Sequence, residues 1–274
     1  MGAKTVHHRS GVRWWLTTSP HGPAAMAFRS GRDGVRADGW GPGADWTLDQ
    51  LPALLGAHDD PSTFRPHHRV LSALLERFDN PVIGATNRWF EALATTVVGQ
   101  RVVKVDAATS RRRLSDRFGE GVPGPAPVPA FPTPERLLEL ADHHFHRAGV
   151  ERSRARALRT AARHANRIEE LGSLDGTEAI AWLRRLPGIG PWTAAITSAV
   201  AGGDPDAVPV GDLHMPRIVS YALTGEAGGD DDRMLELLEP YTGNRQRVIR
   251  LVKLGGLGPP RHRPAPTRHD IGHL

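Results

Sequence analysis

The chain of 274 residues contains no cysteine. That absence excludes a disulfide-stapled scaffold, a thiol nucleophile, a zinc finger and an iron–sulfur cluster held by cysteine. No stretch approaches the ~18 consecutive apolar residues of a membrane-spanning helix. The basic start of the chain is not followed by the apolar segment of a signal peptide. The sequence therefore predicts a soluble, cytoplasmic protein that has no membrane partner.

Lysine is nearly absent as well. It occurs only as Lys4, Lys104 and Lys253, which leaves 32 arginines among the 35 basic residues and a net charge of +5. Arginine stays charged and binds two phosphate oxygens at once, so this surplus favours a polyanionic partner. A GC-rich genome produces the same surplus, and composition alone does not separate the two explanations.

Three segments of different composition follow one another along the chain. Residues 1–64 hold short strand-like runs at 14–18, 25–28 and 34–38, which predict a small antiparallel sheet, and then a short helix that Thr47 would cap. Residues 65–258 have the apolar periodicity of successive helices. Residues 259–274 combine Pro, Arg and His with almost no apolar residue, which predicts a disordered tail. The predicted fold class is mainly α, behind a small N-terminal β-rich (α+β) domain.

The helical segment can be divided by its periodicity and its capping residues. A Pro-rich stretch at residues 121–134 is predicted to be an extended connection. Thr133 and Pro134 then provide a hydroxyl cap and a first helical proline. Helices are predicted at residues 89–99, 102–118, 134–140, 149–168, 178–185, 192–201, 216–223, 232–238 and 244–254.

A short glycine-containing turn at residues 186–190 lies between two of these helices. Glycines two positions apart let the chain reverse and let its backbone approach a ligand closely. The helix that follows presents free N–H groups and the positive end of its dipole to an anion. A Gly-x-Gly between helices is more often a simple turn, but the whole string Leu-Pro-Gly-Ile-Gly-Pro-Trp-Thr-Ala at residues 186–194 is far more specific.

This string resembles the helix-hairpin-helix of the HhH-GPD superfamily of DNA glycosylases. The superfamily's second hallmark is a Gly/Pro loop that ends in an aspartate, and residues 208–212 supply it, with Asp212 20 positions after Trp192. Segments at residues 98–100, 131–134 and 149–155 occur in the same order as in the 3-methyladenine DNA glycosylases of the bacterial type II subgroup. The resemblance covers about residues 65–258 and implies two helical subdomains with the active cleft between them.

The resemblance makes Asp212 the candidate catalytic residue. Cleavage of the bond between sugar and base builds positive charge on the deoxyribose, and a carboxylate can face that charge while it orients or deprotonates a water. The alternative is that Asp212 only caps the next helix. Pro216 favours a helix that starts after Asp212 and leaves its carboxylate free.

Relatives with lyase activity carry a lysine at the position of Trp192, so the resemblance implies hydrolysis without strand cleavage.

The base pocket is predicted around Trp192, because indole is the best cation–π partner for a flipped, alkylated purine. Gln100, Ile196 and Tyr241 are the other candidate walls. Ile196 stands where well-known members have a tyrosine, and the C-terminal helix offers no aromatic residue. The alternative is that these side chains are core residues. This departure from the family's pattern leaves the range of lesions open.

The remaining site residues are predicted to contact DNA. The resemblance assigns phosphate binding to the hairpin residues Pro187, Gly188, Ile189, Gly190 and Thr193. Arg154, at the start of a basic helix, is a further phosphate ligand, with a solvated basic face as the alternative. Arg101 would fill the gap that a flipped base leaves; as the alternative, it is one more exposed arginine.

The resemblance thus implies a monofunctional DNA glycosylase that flips alkylated, 3-methyladenine-like purines out of duplex DNA and hydrolyses the bond between base and sugar. The enzyme is expected to be a monomer associated with the nucleoid. No cofactor and no metal are expected, although the resemblance allows a monovalent cation at the hairpin backbone. His143, His144 and His146 are predicted to form a surface patch, not a metal site. Two alternatives stand: a glycosylase for a bulky adduct or a deaminated purine, and a non-catalytic lesion-binding protein.

Overall fold

The computed structural model describes residues 6–260, apart from residues 10, 79 and 127. The chain begins with an antiparallel sheet of strand order β1-β2-β3-β4: β1 (Val6–Arg9), β2 (Val12–Ser19), β3 (Gly22–Gly31) and β4 (Gly34–Trp40). Strands β2, β3 and β4 confirm the three strands that were predicted at residues 14–18, 25–28 and 34–38. Strand β1 was not predicted, because His7 and His8 give it no apolar alternation, and pairing with β2 fixes it instead.

Helices, with the loops between them, make up the rest of the described chain. They are α1 (Ala44–Asp49), α2 (Leu51–Leu55), α3 (Arg69–Phe78), α4 (Trp89–Val97), α5 (Lys104–Phe118), α6 (Pro134–Glu139), α7 (Asp142–Arg147), α8 (Arg152–Arg163), α9 (Ala165–Glu169), α10 (Gly176–Leu183), α11 (Pro191–Ala201), α12 (Met215–Thr224), α13 (Asp231–Leu238) and α14 (Arg245–Leu254). The mainly α fold with a small N-terminal antiparallel sheet is therefore confirmed. The predicted tail lies, from residue 261 onward, outside the described residues.

Two local predictions were wrong. Thr47 does not cap a helix: it lies inside α1, is buried, and its hydroxyl donates to the Ala44 carbonyl at 2.8 Å. The single basic helix predicted over 149–168 is two helices, because His164 leaves the helical conformation between α8 and α9. The cap at Thr133 is confirmed, since its hydroxyl accepts from the Arg136 N–H at 3.3 Å.

The described helices enclose two hydrophobic cores. The first core is built mainly by α4, α6, α8, α10 and α11, and the second by α3, α12, α13 and α14. The chain passes from the first core to the second between α11 and α12, which is the segment that carries Asp212. The sheet has a small core of its own around Trp15. It is joined to the helices by a buried hydrogen bond from the Thr17 hydroxyl to the Glu91 carboxylate, at 2.8 Å.

A buried ion pair holds the second core to the chain that precedes α3. Arg247 on α14 has 0% of its side chain exposed and donates to both carboxylate oxygens of Asp59, at 2.7 and 2.8 Å. The same guanidinium also donates to the Pro81 carbonyl and to the Asn244 side chain. This pair could not be predicted from local sequence patterns, because its two members are 188 positions apart.

Candidate active site at the junction of the two helical cores

The turn between α10 and α11 is the first element of the candidate site. Leu186 and Ile189 are buried and anchor it, while Pro187, Gly188 and Gly190 are exposed. Gly188 has φ +85°, and a Cβ there would lie 2.9 Å from the Ala157 Cβ on α8. A side chain at this position would therefore be both strained and obstructed.

Gly190 is different from Gly188, which corrects the idea that both glycines are needed to reverse the chain. Gly190 has φ −90°, an ordinary conformation for any residue, and precedes the first turn of α11. A Cβ at this position would meet no atom within 4 Å. The turn therefore needs glycine at position 188, whereas at position 190 the absent side chain only leaves the backbone open to a ligand.

Asp212 lies in the loop before α12, and both of its carboxylate oxygens have partners. One oxygen accepts the backbone N–H groups of His214 and Met215, at 2.9 and 3.0 Å. The other accepts the indole N–H of Trp192 at 2.8 Å. The expectation of a carboxylate free of capping was thus wrong: Pro216 is only the second residue of α12, and Asp212 reaches the N–H groups before it. The cap fixes the direction of the carboxylate.

Trp192 connects the hairpin to this loop. It is the second residue of α11, is half-buried, and packs against the first core. Its hydrogen bond to Asp212 joins two residues that are 20 positions apart. The indole and the carboxylate therefore form one unit at the junction of the two cores.

The loop between α4 and α5 lies against the hairpin. The Gln100 amide donates to the Gly188 carbonyl at 2.9 Å and to the Thr193 hydroxyl at 2.8 Å. The next residue, Arg101, is exposed and has φ +55°. Such a conformation costs on the order of 1–3 kcal/mol in a residue other than glycine, and this kind of strain is concentrated at functional sites.

Besides Ile189, two further predicted DNA contacts have buried side chains. Arg154 has only 4% of its side chain exposed, and its guanidinium donates to the carbonyls of Val98 and Gly149 at 2.8 and 3.1 Å. It binds one carbonyl at the end of α4 and one in the turn before α8, as a buried charged group must find its partners within the protein. The Thr193 side chain is buried against Gln100. Neither side chain reaches a phosphate in this conformation.

Two predicted pocket residues lie in the cores. Ile196 is buried in the first core. Tyr241 is buried in the second core, where its hydroxyl contacts the backbone N–H of His67 and the His68 ring nitrogen. Both residues therefore belong to the hydrophobic cores, which was the alternative to a place in the base pocket. Of the four predicted pocket residues, Trp192 is the half-buried aromatic that contacts the candidate catalytic group.

The predicted histidine patch lies on α7. The rings of His143 and His144 are 3.9 Å apart between centroids. Within the described part of the chain, no group of three His, Cys, Asp or Glu side chains converges as a metal site would require. In the same part of the chain, no helix is long and apolar enough to cross a membrane.

A family model for the HhH-GPD superfamily of base excision DNA repair proteins matches residues 80–241, which include the hairpin, Trp192 and Asp212. The chain belongs to this superfamily. The predicted membership is thereby confirmed.

This HhH-GPD chain is similar in sequence to one kind of curated DNA repair protein and in fold to several solved structures. A probable bifunctional transcriptional activator/DNA repair enzyme AlkA of Mycobacterium tuberculosis is 31% identical over 127 residues, which are 46% of this chain and 25% of the relative. The chain thus spans about a quarter of the length of the curated relatives it matches. The 3-methyladenine DNA-glycosylase of Archaeoglobus fulgidus has TM-score 0.74 and 22% identity, over 91% of this chain and 88% of that one.

A second solved structure has the same fold. The Clostridium acetobutylicum 8-oxoguanine glycosylase/lyase, in complex with double-stranded DNA, has TM-score 0.71 and 15% identity, over 92% of this chain and 88% of that one. At these identities the likeness shows the fold.

One further feature next to Asp212 was not found from the sequence. Leu213 has 82% of its surface exposed, the largest value among the exposed large apolar residues of the described chain. In addition, burial and the positive charge of Lys104 lower the pKa of the Lys253 ammonium group, while the Asp212 carboxylate acts in the opposite direction.

Proposed function

We propose that this HhH-GPD chain is a DNA glycosylase that flips an alkylated purine out of duplex DNA and hydrolyses its bond to the deoxyribose. The observation that carries the proposal is the 2.8 Å hydrogen bond between Trp192 and Asp212. It holds a flat aromatic side chain and an acidic side chain together at the junction of the two cores. A cationic purine suits the indole face, and the positive charge that develops on the sugar suits the carboxylate.

In the proposed reaction, water is the nucleophile and Asp212 is the catalytic residue. The indole N–H and the two capping N–H groups hold the carboxylate in one orientation before the substrate arrives. Such preorganised charge stabilises the transition state without a reorganisation cost. An alkylated purine departs as a neutral base, so the proposed reaction needs no cofactor.

The proposed DNA contacts come from the hairpin and the neighbouring loop. The exposed backbone at Gly190 and the first turn of α11 suit a phosphate. Arg101, held in its left-handed conformation, is proposed to fill the space of the flipped base. The Gln100 hydrogen bonds keep these two elements in a fixed relation.

The absence of lysine from the hairpin supports hydrolysis without strand cleavage. The position that holds the Schiff-base lysine in relatives with lyase activity is Trp192 here. We therefore propose a monofunctional enzyme that acts as a monomer in the cytoplasm, close to the nucleoid.

The test is the release of free bases from a panel of lesion duplexes, followed by chromatography. The expected result is that methylated DNA loses 3-methyladenine while the strand stays uncut until it is heated in alkali. Binding of duplexes without release of any alkylated, deaminated or oxidised base would instead establish a non-catalytic lesion-binding protein.

A second candidate, a glycosylase for a deaminated purine or a bulky adduct, is favoured by one observation. Ile196 is buried in the core and α14 carries no aromatic residue, so the surroundings of Trp192 offer fewer faces to a cationic base. Release of hypoxanthine or of a bulky adduct in preference to 3-methyladenine, in the same panel, would favour this candidate.

The two hairpin glycines provide a matched pair of variants for the proposed DNA contact. Gly188→Ala is expected to destabilise the fold by about 1–3 kcal/mol, because of its positive φ and the contact with Ala157. Gly190→Ala is expected to leave the denaturation midpoint almost unchanged and to weaken binding to duplex DNA, because its methyl group would separate the backbone from a phosphate. Undiminished affinity in a folded Gly190→Ala variant would contradict this role of the hairpin.

A further inference from the structure

Leu213 carries an apolar side chain that neither helical core covers. Its exposed fraction is 82%, whereas the next value among the exposed large apolar residues of the described chain is 47%, at Leu254. Among the described residues, it belongs to no hydrophobic core cluster. Single apolar residues are common on protein surfaces, so exposure alone would not be informative. Its place in the chain is informative, because Leu213 directly follows the proposed catalytic residue, Asp212.

A tight turn closed by the Asp212 carboxylate fixes the backbone at Leu213. One carboxylate oxygen accepts the backbone N–H groups of His214 and Met215, at 2.9 and 3.0 Å, and Leu213 lies inside the loop that these bonds close. On the other side, the Asp212 N–H donates to the Pro209 carbonyl at 3.1 Å. The backbone is therefore hydrogen-bonded both before and after Leu213, and the exposed side chain is held in place at the carboxylate.

Hydrogen bonds also connect Leu213 to the loop that carries Arg101. The Trp192 indole donates to Asp212 at 2.8 Å, and the Gln100 amide donates, also at 2.8 Å, to the hydroxyl of the residue after Trp192. Arg101 follows Gln100, Leu213 follows Asp212, and both are exposed. Two exposed side chains of different chemistry therefore border the proposed site, one from the loop between α4 and α5 and the other from the loop between α11 and α12.

We propose that Leu213 is an apolar wedge that enters the DNA beside the flipped nucleotide and packs against the neighbouring base pair. The inference rests on the proposed function, in which C1′ of the flipped nucleotide lies at the Asp212 carboxylate. Adjacent Cα atoms are about 3.8 Å apart, so Leu213 meets the same strand next to that nucleotide. Proteins that open the base stack often insert leucine or another apolar side chain between base steps. Removal of the leucine from water offsets part of the cost of unstacking.

Leu213 and Arg101 contribute differently to this opened DNA. The guanidinium of Arg101 can donate hydrogen bonds to the base that has lost its partner, whereas the Leu213 side chain offers only apolar surface. Leu213 therefore distinguishes neither the lesion nor the opposite base. Its contribution is to stabilise the extruded state, so its removal affects base flipping and leaves bond cleavage at Asp212 unchanged.

Base release from a paired and from a bulged lesion tests the inference, with the lesion that the duplex panel identifies as the substrate. On the paired lesion, Leu213→Ala is expected to lower the single-turnover rate by about 10–100-fold, as one lost leucine contact would. In a single-nucleotide bulge no base pair has to be broken, and the loss should shrink to less than about threefold. Leu213→Met keeps a long apolar side chain and should retain most of the wild-type rate on both duplexes.

Leu174→Ala is the matched control, because Leu174 is also exposed and lies between α9 and α10, away from the site. It should release base at the wild-type rate. Both alanine variants should denature at the wild-type midpoint, since neither leucine is buried. An equal loss on paired and bulged lesions, or no loss on the paired lesion, would overturn the wedge.

Fluorescence of 2-aminopurine gives a second measurement that does not depend on base release. The probe is placed beside the lesion nucleotide, whose 2′-fluorine prevents cleavage because it destabilises positive charge on the sugar. Its emission rises when the neighbouring base leaves the stack. We expect a rise with wild type and Leu174→Ala, and a much smaller rise with Leu213→Ala at equal occupancy. A rise that is absent, or equal in Leu213→Ala, would contradict the wedge. A rise that depends on Leu213, without release of base from any cleavable lesion, would contradict the proposed function alone.

Discussion

Asp212→Asn is expected to lower the rate of base release by about 10²–10³-fold, the loss that follows removal of one preorganised charge-stabilising group. Asparagine keeps an oxygen that can accept the N–H groups of His214 and Met215, so the cap of α12 survives. The amide NH2 that replaces the second oxygen cannot accept the Trp192 indole N–H, so the variant should lose about 1 kcal/mol of stability and remain folded and able to bind lesion DNA. The measurement is single-turnover release of the free base.

Two further variants separate catalysis from capping. Asp212→Ala removes both roles and should cost about 1 kcal/mol of stability in addition to the activity. Asp231 is the matched control, because its carboxylate also binds backbone in this loop, at the Gly211 N–H. Asp231→Asn is expected to retain the wild-type rate. If Asp212→Asn released base as fast as wild type, Asp212 would be a helix cap and no more.

Arg247→Met is expected to destabilise the protein by about 3–5 kcal/mol, the usual cost of leaving one member of a buried ion pair without its partner. The pair with Asp59 is almost fully buried, and the guanidinium also binds the Pro81 carbonyl and the Asn244 side chain. These contacts hold α14 to two segments that lie far away in the sequence. The free energy of unfolding, from urea denaturation, measures the loss.

The double variant Arg247→Met with Asp59→Leu tests the cause. Since the cost arises from an uncompensated buried carboxylate, its removal should restore a large part of the stability. Arg233→Met is the control, because Arg233 pairs with Glu226 and Glu236 at the surface, where solvent screens the charges. A loss of stability for Arg247→Met that is no larger than that for Arg233→Met would contradict the proposed importance of the buried pair.

Most of the helices could be located from the sequence because their signals are local, although α3 and α7 were not predicted. The apolar stripe of α4 and the Thr133 cap of α6 depend on residues within a few positions of one another, and both are confirmed. The strand β1 could not be located, since His7 and His8 are held by pairing with β2 and not by an intrinsic preference. Local sequence patterns thus predict helices, whereas the location of an edge strand depends on the strand with which it pairs.

The site was only partly predictable for a similar reason. The hairpin string and the aspartate 20 positions later were sufficient to single out Trp192 and Asp212. The six arginines between residues 152 and 167 look alike in the sequence, however, and only packing shows that Arg154 is buried and bound to carbonyl oxygens. Tyr241 was likewise a candidate for the pocket until the second core enclosed it.

The sequence by itself determined the superfamily and the location of most helices, and it singled out Trp192 and Asp212 as candidates, because each of these depends on residue types at fixed spacings. Tertiary structure alone decided that Asp212 is bound by Trp192 and by the start of α12, and that Arg247 is paired with Asp59. These relations depend on how helices from two separate cores pack. The packing of the helices decides which side chains are buried and which groups they contact, and these two properties set the charge state and the mobility of each side chain. Spacing along the chain does not determine them.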